Sequence, residues 1–189
     1  MNTTVVFAHP WEGSLNKAIL NKVLDKLNDD GDTVTLIDLH KDGFDPVMSE
    51  KDILLYSQGK SADPMVESYN GILDKTEKIV FVFPIWWYDM PAIMRGFIDK
   101  VMLSNSAYIE DEFGLHPVRN IQNTTIITTS TAPTEVIVNN FGDPINGTII
   151  EGTFKAIGFF NAKWHNLDCV NKKNREEIVE FIDSISDII

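Results

Sequence analysis

The segment Val82–Val101 reads VFPIWWYDMPAIMRGFIDKV and joins two kinds of local structure. The apolar run Ile79–Phe83 predicts a strand buried on both faces, because no polar residue interrupts it. From Pro91 onward, apolar residues return every three or four positions, which predicts an amphipathic helix with proline at its start. Three adjacent aromatic residues, 86–88, lie in the turn between them. A buried strand leading into a helix is the building unit of parallel α/β sheets, so this segment decides the fold class.

Similar strand patterns recur along the chain, and helix patterns lie between them. This alternation predicts right-handed βαβ units, and therefore one parallel sheet with helices on both faces. Five strands in a chain of 189 residues fit a flavodoxin-like three-layer fold with strand order 2-1-3-4-5, as a single domain over residues 1–189. The predicted strands are Thr4–Ala8, Thr33–Ile37, Lys78–Phe83, Thr124–Thr129 and Phe159–Trp164. The predicted helices are Ser14–Leu27, Glu50–Tyr56, Pro64–Leu73, Pro91–Leu103, Thr148–Ala156 and Arg175–Ile189.

Charge and composition exclude several classes of partner. The net charge of −12 opposes binding to nucleic acid or to anionic membranes, because like charges repel. No apolar stretch approaches the roughly 20 residues of a membrane-spanning helix, and the N-terminal residues read as a strand rather than a signal peptide. Cys169 is the only cysteine, which suits a reducing compartment. We therefore expect a cytoplasmic protein that neither binds nucleic acid nor inserts into a membrane.

The first candidate site is the loop HPWEGSLN, residues 9–16, which follows the first predicted strand. Ser14 fits the N-cap of the first helix, whose unpaired backbone N–H groups form a natural phosphate site. The side chains of His9, Ser14 and Asn16 could donate to the same phosphate. In the alternative interpretation, Ser14 only caps the helix and Asn16 is an ordinary residue of its first turn.

The aromatic turn is the second candidate site. A flat heteroaromatic ring needs apolar walls and in-plane hydrogen bonds. The side chains of Trp86, Trp87 and Tyr88 can form such walls, and the backbone N–H groups of residues 85–88 can meet ring heteroatoms. Adjacent residues in a turn point in different directions, so these three side chains are not expected all to lie in the core. The alternatives are a packed aromatic cluster or a contact between two copies of the chain.

The third candidate site is the loop TTSTAPTE, residues 128–135, after the fourth predicted strand. Its hydroxyl and backbone N–H groups could border the same ring. In the alternative interpretation, the loop is only a polar turn after a threonine-rich strand. In open parallel sheets, ligands bind beyond the carboxyl ends of the strands, near the point where the strand order reverses. We therefore expect the three loops to meet at one site.

Together the three motifs resemble those of the NAD(P)H:quinone oxidoreductases, flavodoxin-like flavoproteins that include soluble ancillary subunits of potassium-efflux systems. The shared features are HP…SxN in the first loop, P-x-x-W-x-x-x-P-A followed by RGFIDKV, and a threonine pair after the fourth strand. In that family the first loop holds the phosphate of a flavin, FAD or FMN, and the other two hold its ring. By motif position, the resemblance assigns the phosphate to His9, Ser14, Leu15 and Asn16, and the ring to Pro84, Ile85, Trp86, Trp87, Tyr88, Thr128, Thr129, Ser130 and Thr131.

The resemblance implies two-electron hydride transfer from NAD(P)H, by way of the flavin, to a quinone or a similar flat electrophile. It also implies a homodimer, and it assigns no catalytic side chain and no metal. The chain departs from the family at Ser130 and Thr131, where two glycines are usual, and it lacks the tyrosine and histidine that follow them in animal quinone reductases. Two other hypotheses stay open: a flavodoxin-type electron carrier, and a flavin-binding regulatory subunit of a cation-efflux system.

Overall fold

The structure is a computed structural model that describes residues 1–189. Its strands are β1 (Asn2–Phe7), β2 (Thr33–Asp38), β3 (Lys78–Pro84), β4 (Tyr108–Asp111), β5 (Gly114–Pro117), β6 (Asn123–Thr129) and β7 (Lys163–Leu167). Five of them form one parallel sheet in the order β2-β1-β3-β6-β7, and β4 pairs with β5 as a separate antiparallel hairpin. The predicted flavodoxin-like class and its strand order 2-1-3-4-5 are confirmed.

Helices connect the strands of the sheet. They are α1 (Leu15–Asp29), α2 (Glu50–Tyr56), α3 (Pro64–Leu73), α4 (Ala92–Val101), α5 (Thr134–Asn140), a π-helix (Ile145–Phe154), a 3₁₀ turn (Lys155–Ile157) and α6 (Arg175–Ile188). None of these helices combines the length and the apolar composition needed to cross a bilayer.

The central strand β3 is buried on both faces, as its uninterrupted apolar sequence predicts. Val80 and Val82 point into the core beneath α1 and α6, whereas Phe81 and Phe83 point into the larger core on the opposite face. All four side chains are fully buried. Successive side chains of a strand alternate between the two faces of a sheet, so a strand covered on both sides must be apolar at every position.

The carboxyl ends of the three central strands lie level with one another. Phe7 of β1 pairs with Val82 of β3, and Pro84 at the end of β3 pairs with Thr129 at the end of β6. The loops after β1, β3 and β6 therefore leave the sheet side by side. This register brings together the three loops singled out in the sequence.

The position of α4 behind the aromatic turn depends on a close backbone approach. A Cβ atom on Gly96 would lie 2.2 Å from Cβ of Pro46 and 2.6 Å from its carbonyl oxygen, so only glycine fits there. One turn further on, the buried Nζ of Lys100 donates to the Asp45 carbonyl at 2.9 Å and to the Asp63 carboxylate at 3.0 Å. The RGFIDKV motif thus anchors α4 against the loop after β2 and the start of α3.

The last strand lies further along the chain than predicted. The sequence predicted a strand at Phe159–Trp164, whereas β7 begins at Lys163 and ends at Leu167. Gly158 has a φ of +85°, and a Cβ there would come within 2.0 Å of the Arg119 carbonyl, so the chain turns tightly before Phe159. Phe159 is apolar because it packs in the core, and β7 is less apolar because it is a half-buried edge strand.

The segment between β6 and β7 also differs from the prediction. The helix predicted at Thr148–Ala156 is the longer π-helix Ile145–Phe154 followed by the 3₁₀ turn. The helix α5 and the β4–β5 hairpin have no counterpart among the predicted elements. Each hairpin strand has only four residues, and the apolar residues of α5 are three adjacent ones, 136–138, rather than residues at helical spacing, so neither element stands out in the sequence.

Candidate functional site

The loops after β1, β3 and β6 border a single cavity of about 530 Å³ at the carboxyl edge of the sheet. Every predicted site residue except Thr128 lines it. Three further residues, Trp11, Ala132 and Val170, line it without having been predicted. The predicted residues at the cavity wall are His9, Ser14, Leu15, Asn16, Pro84, Ile85, Trp86, Trp87, Tyr88, Thr129, Ser130 and Thr131.

The first loop presents the N-terminus of α1 to the cavity. The Ser14 hydroxyl accepts a hydrogen bond from Lys17 N at 3.1 Å, which confirms its prediction as the N-cap. The N–H groups of Leu15 and Asn16 have no acceptor within the protein. Unpaired N–H groups and the helix dipole make this end of the cavity locally positive, despite the net negative charge of the chain.

Asn16 is 3% exposed and carries a free polar atom at the cavity wall. Its Nδ2 donates to Thr129 Oγ1 at 2.8 Å, and its Oδ1 has no partner. Exchanging the two ends of the amide would leave Nδ2 free instead, so one end lacks a partner in either orientation. Buried polar atoms are almost always paired, and this exception points to a ligand with hydroxyl or phosphate groups.

His9 lies where β1 enters the first loop. Its Nδ1 accepts a hydrogen bond from the backbone N–H of Trp11 at 3.1 Å, and burial lowers the pKa of the imidazole below its usual value. The neutral ring therefore carries its proton on Nε2, which can donate to a ligand. The ring lies edge-on to Trp86, with 6.3 Å between the two ring centroids.

The aromatic turn is strained. Trp87 and Tyr88 have φ values of 53° and 67°, and the backbones of Trp86 and Asp89 exchange two hydrogen bonds across them. Positive φ at both central residues matches a type I′ turn, which normally contains asparagine or glycine. Bulky residues in this conformation cost about 1–3 kcal/mol each and cluster at functional sites.

The prediction that the three aromatic side chains do not all lie in the core is confirmed. Trp86 is 46% exposed and Trp87 is 93% exposed. Tyr88 is half-buried and stacks on Phe141, with a centroid distance of 3.9 Å and an interplanar angle of 23°. The turn therefore presents flat aromatic surfaces to the cavity mouth rather than filling the interior.

Two of the four backbone N–H groups expected to meet ring heteroatoms are already bonded. Ile85 N donates to Thr129 O at 2.8 Å, and Trp86 N donates to Asp89 O at 3.0 Å. Only Trp87 and Tyr88 have N–H groups without a protein acceptor. Of the backbone N–H groups of residues 85–88, only these two are therefore available to a ring heteroatom, because the other two donate within the sheet edge and the turn.

Thr128 and Thr129 differ although they are neighbours. Thr129 lines the cavity, whereas Thr128 is fully buried, donates to Asn166 Oδ1 and accepts from the Trp164 indole, each at 2.8 Å. The alternation of side chains along β6 places them on opposite faces of the sheet. Both threonines of the pair are buried, but only Thr129 lines the cavity.

Of the unpredicted lining residues, Trp11 lies within the quoted first loop and only Val170 is remote. The Trp11 indole covers Gly13, where a Cβ atom would come within 2.6 Å of the ring. Val170 reaches the cavity because its N–H donates to Ser130 O at 3.1 Å. Val170 was not predicted to line the cavity because the last strand was predicted to end at Trp164 rather than at Leu167. The His, Cys, Asp and Glu side chains form no group of three that could hold a metal ion.

A family model described as flavodoxin-like fold matches residues 1–188. The chain belongs to this family. An uncharacterized NAD(P)H oxidoreductase of Haemophilus influenzae is 25% identical over 185 residues, which cover 95% of this chain and 91% of the relative. Two curated relatives match about half of this chain and at most about half of their own length: ribosyldihydronicotinamide dehydrogenase [quinone] of Homo sapiens, 29% identical over 124 residues, and NAD(P)H dehydrogenase [quinone] 1 of Rattus norvegicus, 26% identical over 121 residues. These relatives confirm the resemblance to the NAD(P)H:quinone oxidoreductases.

Solved structures show the same family fold. The NAD(P)H:quinone oxidoreductase from Methanothermobacter marburgensis superposes with a TM-score of 0.88 over 99% of this chain and 96% of its own, at 18% identity. An FMN-dependent NADH-azoreductase from Bacillus anthracis, solved in complex with FMN, has a TM-score of 0.74 over 99% and 98% of the two chains, at 14% identity. At these identities the likeness establishes the fold alone.

The departure from the quinone oxidoreductase pattern after β6 has a structural reason. Neither Ser130 nor Thr131 has a positive φ, so the backbone here does not require glycine. Ser130 is held by its own polar groups, since its N–H donates to Leu167 O at 3.0 Å and its hydroxyl donates to Ala132 O at 2.7 Å. The N–H groups of Thr131 and Ala132 have no protein acceptor.

Proposed function

We propose that this chain is a flavin-dependent NAD(P)H oxidoreductase that reduces quinones or similar flat electrophiles by two-electron hydride transfer. When bound, the flavin supplies the redox chemistry, because it can accept a hydride from a nicotinamide and pass two electrons to a second substrate. The relatives named NAD(P)H oxidoreductases and the FMN complex of an azoreductase with the same fold support this assignment.

One observation carries the proposal: the cavity has a polar end and a flat aromatic end, and both have unpaired hydrogen-bonding groups. The polar end offers the free N–H groups of Leu15 and Asn16 and the unpaired side-chain oxygen of Asn16. The aromatic end offers the free N–H groups of Trp87 and Tyr88 between exposed indole rings. A phosphate, a hydroxylated chain and a flat heterocycle, joined in that order, satisfy these groups, and a flavin has this composition.

The polar end would hold the phosphate and the sugar-alcohol chain. The start of α1 would bind the phosphate through backbone N–H groups, with Nε2–H of His9 as a further donor. Asn16 would bind a hydroxyl through the amide end that Thr129 leaves free. The lining contains no lysine or arginine, so the helix dipole and these N–H donors would have to stabilise the anion.

The aromatic end would orient the ring and exclude water from one of its faces. Trp86, Trp87 and Tyr88 would form the walls, with Pro84, Ile85 and residues 129–131 along the edge. The free N–H groups of Trp87 and Tyr88 would stabilise negative charge that develops on the reduced ring. The slot would also place a second flat molecule at stacking distance, which hydride transfer requires.

The first experiment is a visible absorption spectrum of the purified protein, followed by mass analysis of any small molecule released by heating. We expect a flavin spectrum, and the released mass identifies FAD or FMN. NADH or NADPH should then bleach the spectrum within the mixing time, and a quinone should restore it. Protein that stays colourless after incubation with both flavins would overturn the proposal.

The same measurements separate the two other hypotheses. A flavodoxin-type electron carrier would bind flavin but would not be bleached rapidly by NAD(P)H, since carriers lack direct hydride acceptance. A regulatory subunit of a cation-efflux system would bind flavin and co-purify with a membrane protein. Fast bleaching together with turnover of quinone by the isolated chain favours the enzyme over both.

We also propose that the enzyme is a homodimer whose partner covers the cavity mouth. Trp87 is almost fully exposed beside Trp86 at that mouth, and exposed apolar surface of this kind is unfavourable in an isolated chain. Light scattering of the flavin-loaded protein should give twice the chain mass. The variant Trp87→Ala should weaken the dimer, whereas Phe113→Ala, which removes another highly exposed ring from the β4–β5 turn, should not.

A further inference from the structure

A chain of hydrogen bonds behind the cavity wall centres on Asn166 of β7. The indole Nε1 of Trp164 donates to Thr128 Oγ1 at 2.8 Å, and this hydroxyl donates to Asn166 Oδ1 at 2.8 Å. Asn166 Nδ2 then donates to Ser130 Oγ at 2.9 Å and to Thr134 Oγ1 at 3.0 Å. All the hydrogen-bonding groups of this side chain are therefore used.

The chain ends on two acceptors. The Ser130 hydroxyl donates to Ala132 O at 2.7 Å, and the Thr134 hydroxyl donates to Asp168 Oδ2 at 3.0 Å. The Thr134 backbone N–H donates to the same carboxylate oxygen at 2.8 Å. Asp168 thus ties the start of α5 to the end of β7.

The donor and acceptor roles leave one arrangement of protons. An indole N–H can only donate, and a backbone carbonyl or a carboxylate can only accept. Every hydroxyl between Trp164 and the two acceptors must therefore accept from one side and donate to the other. This direction also fixes the amide of Asn166, because the opposite orientation would face its oxygen towards two hydroxyls whose protons are already committed.

We propose that Asn166 is a positioning residue that holds the wall segment Ser130–Ala132 in its binding shape. The inference rests on the proposed function, because this segment borders the cavity assigned to the flavin ring. The two N–H groups of the segment without protein acceptors belong to Thr131 and Ala132. Asn166 does not line the cavity, so it acts through Ser130 and Thr134 rather than by contact with a ligand.

The physical reason lies in the sequence of the wall. Two glycines at these positions would let the backbone approach a ring freely, whereas a serine and a threonine restrict it. A loop with restricted backbone freedom can bind the ring only if it is held in the binding conformation. Asn166 holds it there by donating to Ser130 at the start of the segment and to Thr134 just beyond its end. The wall is then preorganised, so less ordering is needed when the ring binds.

The test compares two apolar replacements of similar size to the residues they replace. Asn166→Leu removes the two side-chain bonds from Asn166 to Ser130 and Thr134, and the dissociation constant of the flavin should rise about tenfold. The visible spectrum of the bound flavin should shift as well, because hydrogen bonds at its edge change. Thr128→Val is the matched control, since it breaks the same chain on the Trp164 side and leaves both wall bonds in place. The control should lower thermal stability and leave the flavin dissociation constant within about twofold.

A double-mutant cycle decides whether Asn166 acts through Ser130. If it does, Asn166→Leu combined with Ser130→Ala should weaken flavin binding little more than either change alone. Fully additive effects would overturn the assignment, as would an unchanged flavin dissociation constant in Asn166→Leu. Hydrogen exchange of the Ser130 and Val170 amides, which donate to Leu167 O and Ser130 O, should be faster in flavin-free Asn166→Leu than in flavin-free Thr128→Val. Equal exchange rates in the two variants would refute the positioning role. Failure of the wild-type chain to bind flavin would refute the proposed function and this assignment with it.

Discussion

Asn16 and Thr129 are 113 positions apart in the chain, yet the side-chain amide of one donates to the hydroxyl of the other at 2.8 Å. Asn16 belongs to the first turn of α1, and Thr129 is the last residue of β6. The bond crosses the carboxyl edge of the sheet behind the cavity and joins its polar end to its aromatic end. It also leaves the other end of the Asn16 amide without a partner in the protein.

Replacing Asn16 should therefore weaken flavin binding more than it weakens the fold. Asn16→Ala removes the bond to Thr129 and the free amide end, so we expect the flavin dissociation constant to rise about tenfold. Fluorescence titration of flavin with protein measures this constant. Asn21→Ala, at an exposed position of the same helix, is the matched control and should leave the constant unchanged. Equal affinities for the two variants would show that Asn16 does not contact the cofactor.

Two glycines in helices should respond to the same substitution with opposite signs. Gly96→Ala drives a methyl group into Pro46, so the free energy of unfolding should fall by about 1–3 kcal/mol. Gly71→Ala, in α3, meets no atom within 4 Å and should raise stability by up to about 1 kcal/mol through helix propensity. Urea unfolding followed by circular dichroism gives both values. A stable Gly96→Ala protein would mean that α4 does not approach the Pro46 loop closely.

Relieving strain in the aromatic turn should stabilise the protein. Asparagine adopts positive φ more easily than tryptophan, and in a single flavin-free chain Trp87 loses almost no packing because it is nearly fully exposed. The measurement therefore uses flavin-free protein, diluted until light scattering gives the mass of one chain. Trp87→Asn should therefore raise the free energy of unfolding by about 1 kcal/mol. Trp11→Asn is the control, because Trp11 is also exposed but does not have a positive φ. If both variants change the free energy of unfolding by the same amount, the positive φ at Trp87 does not explain the change.

The free energy of unfolding should decrease as the pH falls below about 6.5, the ordinary pKa of histidine. Burial lowers the pKa of His9 and of His165 in the folded protein, and the positive charge of Lys163 lowers that of His165 further. The unfolded chain then binds more protons than the folded one, so protonation favours unfolding as the pH falls. His165→Gln should make urea midpoints less dependent on pH between about 7 and 5. If the urea midpoints of His165→Gln depend on pH as strongly as those of the wild type, His165 does not cause the loss of stability in acid.

The parts of the fold that depend on local pattern were predictable. The uninterrupted apolar run of β3 is typical of a strand covered on both faces, and Ser14 before an amphipathic stretch is typical of a helix start. Neither inference needs a distant partner. By contrast, β7 was misplaced, because Phe159 is as apolar as a strand residue although it packs in the core after the turn at Gly158.

The sequence by itself predicted the strands of the central sheet, their order and the three loops that meet at the cavity, and with the family resemblance it predicted most of the lining residues. Only the tertiary structure decided which polar atoms remain free there. The N–H groups of Ile85 and Trp86 and the hydroxyl of Thr128 have the same chemistry as their neighbours, but they are already bonded within the protein. Whether a donor is free depends on which distant acceptor reaches it, and that is set by the packing of strands and loops far apart in the chain.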